Sequence, residues 1–293
     1  MTQVVNYLQS MADLGLKYNT ICTHVSALSS CMQPIGGRTL GSFSLITKWL
    51  KGYKALKPPV RLLIPPWELG IVLSALRDQP YEPLRKADMR LVTLKLAFLL
   101  SVTSARRISE IHALGVDNAH LVLNPQSAIL RVNRSFLPKT KTDIAINSKL
   151  ELQAFYPEPK NHFENQQRLN CPIRALRIYL RRSNAYRKDN ALFVNFDKRS
   201  LGKSVSKSML SKWLSQVIRD AYEINGREAP IKCNPHSIRG IASSWAEVGH
   251  ATPSEIAEAG TWSNLLTFAT FYRLDYLGSS CGTSILKAVG QTE

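Results

Sequence analysis

The sequence predicts a mainly α-helical protein with one small antiparallel sheet, an α+β fold. Apolar residues recur at helical spacing through residues 1–57 and again through much of 67–293. Between residues 120 and 148 the pattern changes to short alternating segments rich in branched side chains, which favours paired strands. The stretch 58–66 is rich in proline, and paired prolines are typical of an extended linker between two domains.

Helices account for most of both regions. Glycines at positions 15, 36, 37 and 41 separate three predicted helices in the first region. The predicted helices of both regions are 4–14, 18–31, 42–56, 85–101, 105–114, 171–182, 206–222, 236–248, 253–259 and 263–272. The predicted strands are 120–124, 128–136 and 142–147. The sequence therefore predicts a helical N-terminal domain, 1–57, and a mixed second domain, 67–293.

Charge is the most informative property of the composition. Lysine and arginine number 38 against 21 aspartates and glutamates, a formal net charge of +17. A field of that sign attracts polyanions, which points to nucleic acid as the partner, although a generically basic protein remains the simpler alternative.

Several other classes of protein are not indicated. We find no apolar run of membrane-spanning length and no secretory signal, so we expect no membrane partner and an intracellular location. The five cysteines form no CxxC or CxxH cluster, so we expect neither a disulfide framework nor a zinc site. Phosphate-loop and HExxH motifs are also missing, and we expect no metal, nucleotide or other cofactor.

The predicted helix 236–248 carries two side chains suited to phosphate chemistry. Asn234 is a good N-cap, Pro235 fits the first helical position and Gly249 can end the helix. One side of the helix is apolar: Ile238, Ile241, Ala242, Trp245 and Val248. The opposite side carries His236, Arg239, Ser243 and Glu247. We therefore expect His236 and Arg239 to share a face that points away from the core, with an ordinary solvated polar face as the alternative.

Four short runs then carry a family resemblance. They are 104–110 (SARRISE), 236–239 (HSIR), 260–262 (GTW) and 271–273 (FYR). In this order they resemble the arginine, His-x-x-Arg, His/Trp and tyrosine signature of the tyrosine recombinases. Trp262 comes 23 positions after Arg239, which is the usual spacing in that family. The sequence segments TSARRISEIHAL, FLPKT and TFATFYR are most similar to segments of the recombinases of DIRS-like and Ngaro-like retrotransposons. The likeness covers nearly the whole chain.

The resemblance implies a metal-independent cleavage of DNA with Tyr272 as the nucleophile. Arg107 and Arg239 would clamp the phosphate, because a planar guanidinium pairs with two oxygens at once and stays charged. His236 would assist proton transfer or donate a hydrogen bond to the phosphate. Trp262 would donate its indole N–H or pack to position the site. A tryptophan in a helical region is otherwise often a core residue.

Several assignments stay open at this stage. Arg107 is preferred to Arg106 because it directly precedes Ile-Ser-Glu, and Glu110 could brace it as a neighbouring carboxylate. Arg106 would then contact DNA phosphates or be a surface charge. Either Lys139 or Lys141 would protonate the leaving oxygen, with Lys139 preferred from the FLPK wording.

The position of the tyrosine is also unusual. Many family members place it nine residues after the His/Trp position, where this chain has Phe271, whereas Tyr272 comes ten residues after Trp262. The retrotransposon branch, with its FY ending, is similar to this arrangement. Tyr276 is the alternative nucleophile.

The resemblance also implies partners and assembly. Residues 1–57 would be the core-binding domain, and residues 67–293 would be the recombinase catalytic domain. The two domains would clamp double-stranded DNA between them, and the expected location is the nucleus. Four subunits on two sites would exchange strands through a Holliday junction, for integration or excision of a mobile element. Lys203 and Lys207 are candidate DNA-backbone contacts, and 285–289 is expected to dock on a neighbouring subunit. The rival hypotheses are strand relaxation like that of type IB topoisomerases and DNA binding without catalysis.

Overall fold

The computed structural model describes residues 1–60, 64–139, 149–231 and 233–274. The chain divides into two compact units, Met1–Leu62 and Leu63–Glu293, and each has an apolar core of its own. Both units are helical, and the second also contains a three-stranded antiparallel sheet. The structure therefore confirms the predicted fold class.

The first unit packs three helices around a small core. They are α1 (Thr2–Asp13), α2 (Tyr18–Cys31) and α3 (Ser44–Leu56). One apolar residue from each helix, Leu8, Ile21 and Ile46, is completely buried where the three meet. Gly15 follows α1 with a positive φ of 78°, a conformation that glycine adopts without the steric cost other residues meet.

The second unit is built around one buried helix. Its helices are α4 (Leu69–Ala75), α5 (Met89–Ser104), α6 (Ile108–His112), α7 (His162–Arg168), α8 (Pro172–Ser183), α9 (Lys207–Ile224), α10 (Pro235–Val248), α11 (Pro253–Ala259) and α12 (Leu266–Phe271). Every residue of α5 from Val92 to Ser101 is buried, and α8, α9 and α10 all pack against it. The largely apolar sequence of α5 thus reflects contacts on all sides, and its one buried charge, Lys95, is paired with Glu82.

The sheet covers one part of this core. Its strands β1 (Leu121–Leu123), β2 (Ser127–Arg131) and β3 (Lys149–Gln153) lie in that order and pair antiparallel. On β2 and β3 the inward residues Leu130 and Leu150 face each other and are buried, in keeping with the two-residue period of a strand.

Only part of the predicted sheet can be compared with the structure. The first predicted strand matches β1 to within one residue at each end, and the second overlaps β2 but extends five residues beyond it, whereas the predicted strand 142–147 lies outside the described residues. The sequence analysis did not predict β3, because its pattern has only two apolar positions, Leu150 and Leu152. Within the described ranges, no helix has the length and apolar character that crossing a bilayer requires.

Candidate active site

Two arginines, Arg106 and Arg107, lie in a sharp turn that follows α5. Ala105 ends that helix in a left-handed conformation with φ of 50°, and the chain then passes through Arg106 and Arg107 into α6. Arg107 occupies the N-cap position of α6, where its backbone N–H donates to the Glu110 carboxylate at 3.3 Å. The Arg107 guanidinium donates to the same carboxylate at 2.9 Å. This double contact holds the Arg107 side chain in one direction.

Glu110 connects this turn to a second segment of the site. Its side chain is almost fully buried, and the Thr261 hydroxyl oxygen lies 3.2 Å from both of its carboxylate oxygens. The same hydroxyl lies 2.7 Å from the Gly260 carbonyl. Glu110 therefore joins α6 to the turn between α11 and α12, which also carries Trp262.

Arg239 lies at the centre of the site. Helix α10 begins as predicted, with Asn234 as its N-cap, and it places Arg239 in a buried position with 4% of its surface exposed. The guanidinium carbon lies 4.3 Å from the Trp262 ring centroid and 5.1 Å from that of Tyr272, and Nη2 donates to the Gly260 carbonyl. Among the described residues, Nε and Nη1 have no hydrogen-bond partner.

The prediction that the polar face of α10 points away from the core was wrong. Arg239 and Ser243 are both buried, and Trp245, assigned to the apolar side, is 42% exposed. The reason is tertiary, because the chain of α11 and α12 folds back and forms a second apolar cluster that covers Arg239. Helical periodicity separates two faces, but it does not show which of them a later segment will cover.

Tyr272 directly follows α12 and is held against α10. Its ring centroid lies 4.9 Å from that of Trp262. The next two residues are fixed by α10, since Arg273 donates to Glu247 at 2.9 Å and the Leu274 N–H donates to the Ser244 hydroxyl at 2.8 Å. The backbone of Tyr272 is therefore anchored from the following residues.

Two glycines permit this close packing. A Cβ atom added at Gly240, in the middle of α10, would lie 3.0 Å from the Tyr272 carbonyl oxygen. At Gly260 it would lie 2.6 Å from the Trp262 ring. The sequence analysis treated Gly260 only as a helix end and did not single out Gly240 or Thr261. A glycine in the interior of an amphipathic helix is the signal that could have identified Gly240.

The electrostatics of the site favour an anion. Burial and, to a smaller extent, the positive charge of Arg107 lower the pKa of Arg239 to about 10, while Tyr272 and Glu110 act in the opposite direction. Two guanidinium groups thus repel each other in a poorly solvated place. A phosphate between them would remove that repulsion and pair with the unused N–H groups.

The other donor of the site is an indole. Trp262 is 7% exposed, and its Nε1 is buried without a hydrogen-bond partner among the described residues. Buried polar groups are normally paired, so the unpartnered indole N–H beside Arg239 is a donor available to a bound acceptor.

Arg106 differs from the sequence-based interpretation. Its side chain is buried, with 7% exposed, and Nη2 donates to the Lys149 carbonyl at 2.6 Å. Burial also lowers its pKa. The surface-charge interpretation is therefore wrong, because the guanidinium links the turn after α5 to β3. The phosphate contact predicted for it stays a prediction.

The remaining predicted site residues are exposed on the protein or lie outside the described residues. His236 is exposed on the first turn of α10, one turn from Arg239. Lys139 is exposed on the segment that follows β2, and Lys203 and Lys207 are exposed just before and at the start of α9. The alternatives Lys141 and Tyr276, like the tail segment 285–289, lie outside the described residues.

Comparison with solved structures identifies the fold. A Tn1549 transposon integrase in complex with transposon right end DNA matches with a TM-score of 0.62 and 14% identity over 100% of this chain and 85% of its own. The XerH site-specific recombinase bound to palindromic difH substrate gives 0.58 and 17%, over 97% and 72%. A lambda integrase dimer bound to a core site gives 0.52 and 15%, over 94% and 64%.

These identities establish a shared fold. The chain has the fold of these site-specific recombinases and integrases, mainly helical with a small antiparallel sheet. Neither a protein-family model nor a curated protein sequence matches it.

Proposed function

We propose that this protein is a tyrosine recombinase that cuts and rejoins DNA strands through a 3′-phosphotyrosine on Tyr272. One observation carries the proposal. A buried arginine, Arg239, is packed against a tyrosine and a tryptophan, while two of its N–H donors and the indole N–H have no acceptor among the described residues. Such a set of convergent donors suits one phosphate beside one phenol.

The first role in this mechanism is to stabilise charge. Attack on a phosphodiester builds negative charge on the two non-bridging oxygens, and Arg239 and Arg107 would each donate to them. Fixed donors of this type contribute about 2.7–4 kcal/mol each to lowering a barrier. Glu110 would keep Arg107 oriented, and Trp262 would donate to the same phosphate.

The second role is the exchange of bonds. The Tyr272 oxygen would form a bond to phosphorus while the bond from phosphorus to the 5′ oxygen breaks. The phenol loses its proton and the 5′ oxygen gains one. We assign the proton transfers to His236 and to Lys139, with Lys141 as the alternative, because imidazole and amino groups serve as general acids and bases in enzymes. Attack by a 5′-hydroxyl on the phosphotyrosine reverses these steps, so rejoining needs no external energy source.

The partner in this proposal is double-stranded DNA. The net charge of +17 suits a polyanion, and the similar Tn1549 transposon integrase is in complex with transposon right end DNA. Because short segments of the sequence resemble those of retrotransposon recombinases, we extend the proposal to the DNA of a mobile element in a nucleus. Two subunits would bind each of two DNA sites. Lys203 and Lys207 are proposed backbone contacts.

The deciding experiment is covalent trapping on a suicide substrate. Duplexes with a randomised centre and a nick should be labelled at the 5′ end of the scissile strand, because a 3′-phosphotyrosine retains that end. We expect a labelled protein band on denaturing gels, which Tyr272→Phe abolishes and Tyr276→Phe leaves in place.

The other outcomes identify the rival functions. If DNA binds and no duplex yields an adduct, the protein is a binding protein without catalysis. If the adduct forms and a plasmid without paired sites is relaxed by dilute protein, strand relaxation replaces recombination. Loss of the adduct in Tyr276→Phe alone would move the nucleophile to that residue.

A further inference from the structure

A groove rich in arginine lies on the second unit outside the candidate active site. It has a volume of about 390 Å³ and runs along α8 beside the end of β3. Five arginines line it, together with one acidic residue, and we call it the arginine groove. The arginines are Arg85, Arg168, Arg174, Arg177 and Arg181.

Most of this positive charge is not compensated. Arg174 forms a double hydrogen bond with Glu82 at 2.6 and 2.8 Å. Arg177 donates one N–H to the Asn124 carbonyl, which carries no net charge. In the part of the chain that the structure describes, Arg85, Arg168, Arg177 and Arg181 form no ion pair. The acidic residue, Glu158, is exposed and also forms none there. The groove is therefore a strongly cationic surface.

Its distance from the candidate active site makes it a separate site. Arg85 precedes α5, whereas Arg107 follows it, and a 16-residue helix is about 24 Å long. Strand β3 shows the same separation, because Lys149 at its start accepts from Arg106 while Ala154, just after its end, lines the groove. A phosphate bound by Arg107 and Arg239 cannot reach these arginines.

The lining favours a peptide over a nucleic-acid strand. Single strands are commonly bound by aromatic side chains on which bases stack, and none of the described residues that line this groove is aromatic. Partly accessible aliphatic surface comes instead from Ile178, Ala154 and Pro157. Arg177 and Arg181 are one helical turn apart, a rise of about 6 Å. Alternate side chains of an extended chain repeat at about 6.6 Å, so carboxylates on one edge of a peptide match that spacing.

We propose that the arginine groove binds an extended acidic segment of a partner protein, in which carboxylates alternate with aliphatic residues. The carboxylates would pair with Arg177 and Arg181, with Arg85 and Arg168 contributing at the rim. The aliphatic side chains would lie on Ile178 and Pro157. This site does not depend on DNA cleavage by Tyr272.

The test measures peptide binding to the full chain by fluorescence anisotropy. The probe is a labelled decapeptide of alternating glutamate and valine, compared with glutamine–valine and lysine–valine peptides. We expect only the acidic peptide to bind, and Arg177→Glu combined with Arg181→Glu to weaken its binding at least about tenfold, since two charge-assisted hydrogen bonds are replaced by repulsion between like charges. The matched control is Lys48→Glu with Lys51→Glu, two exposed cations on α3.

Each other result overturns the proposal. Equal weakening by the control pair would mean that only net charge attracts the peptide. Unchanged binding in the groove variant would place the peptide elsewhere. If a labelled DNA single strand binds more tightly than the peptide and the groove variant alone loses it, the ligand is nucleic acid. Covalent trapping on DNA should be retained by the groove variant, so failure of this proposal and failure of the proposed recombinase are separable.

Discussion

The Thr261 hydroxyl lies 3.2 Å from both carboxylate oxygens of Glu110. Glu110 in turn accepts from the guanidinium of Arg107 at 2.9 Å. Thr261 precedes Trp262, so the carboxylate that orients Arg107 is hydrogen-bonded to the same turn that carries the indole packed over Arg239. The two arginines of the proposed phosphate clamp are thereby positioned relative to each other.

This relationship predicts a positioning role for Thr261. Thr261→Val keeps the shape and the branched Cβ but removes the hydroxyl, so Arg107 should be held less firmly. We expect the rate of covalent adduct formation to fall about tenfold, the lower end of what losing a supporting hydrogen bond costs, with DNA affinity unchanged. Single-turnover trapping measures the rate. Thr103→Val, which removes only a bond to the Leu99 carbonyl within α5, serves as control, and equal rates in the two variants would contradict the role.

The indole N–H of Trp262 gives a second prediction. Trp262→Phe retains an aromatic ring over Arg239 but removes the donor that has no partner among the described residues. If that donor serves the phosphate, cleavage should slow about 10–100-fold while thermal stability changes little, since one hydrogen bond to a charged group is worth about 1.5–3 kcal/mol. A normal cleavage rate in this variant would reduce Trp262 to a packing residue.

We expect Arg239 not to be required for the stability of the fold. It is buried with two unpartnered N–H groups, and burial depresses its pKa to about 10, so the charged side chain is poorly solvated. We expect Arg239→Met to preserve or raise the melting temperature, because an apolar chain of similar length relieves that desolvation. Adduct formation should fall at least about 100-fold. A large drop in melting temperature would show instead that Arg239 is structural.

Glu82, Lys95 and Arg174 form a buried ion cluster beside α5. We expect the loss of its carboxylate to lower the free energy of unfolding more than the loss of one of its cations. Glu82 accepts from Lys95 at 2.6 Å and from both terminal nitrogens of Arg174. Glu82→Ala leaves two cations without a carboxylate and should cost about 3–5 kcal/mol of the free energy of unfolding. Lys95→Met leaves the pair of Glu82 and Arg174 intact, and it should cost far less. Urea unfolding of the two variants measures both values, and equal losses would refute this account.

The same carboxylate gives a pH dependence. Burial alone would raise the pKa of Glu82, but its hydrogen bonds from Arg174 and Lys95 outweigh burial and hold the pKa below the usual 4.5. A carboxyl with a lowered pKa in the folded state contributes stability above its unfolded pKa and loses it as the pH falls through the folded value. We therefore expect wild-type stability to decrease below about pH 4.5, the ordinary glutamate value, more steeply than that of Glu82→Gln. Parallel stability curves for the two proteins would contradict this.

The sequence by itself determined most of the helices and much of the site's inventory, although α4, α7 and β3 were not predicted. Asn234, Pro235 and Gly249 defined the bounds of α10 through local capping, and Thr252 and Glu255 did the same for α11. Capping depends on neighbours within one turn, so it can be predicted from a single sequence. The arginines, the tryptophan and the tyrosine were named from four short motifs in the same way.

Only the tertiary structure decided which of these side chains meet and which are buried. Arg239 was expected to face away from the core, yet the later chain from Gly260 to Leu274 covers it. Arg106 was expected at the surface, yet it pairs with a strand carbonyl more than 40 residues away. Both outcomes depend on contacts between segments distant in the chain, and the hydrophobic period of one helix contains no information about them.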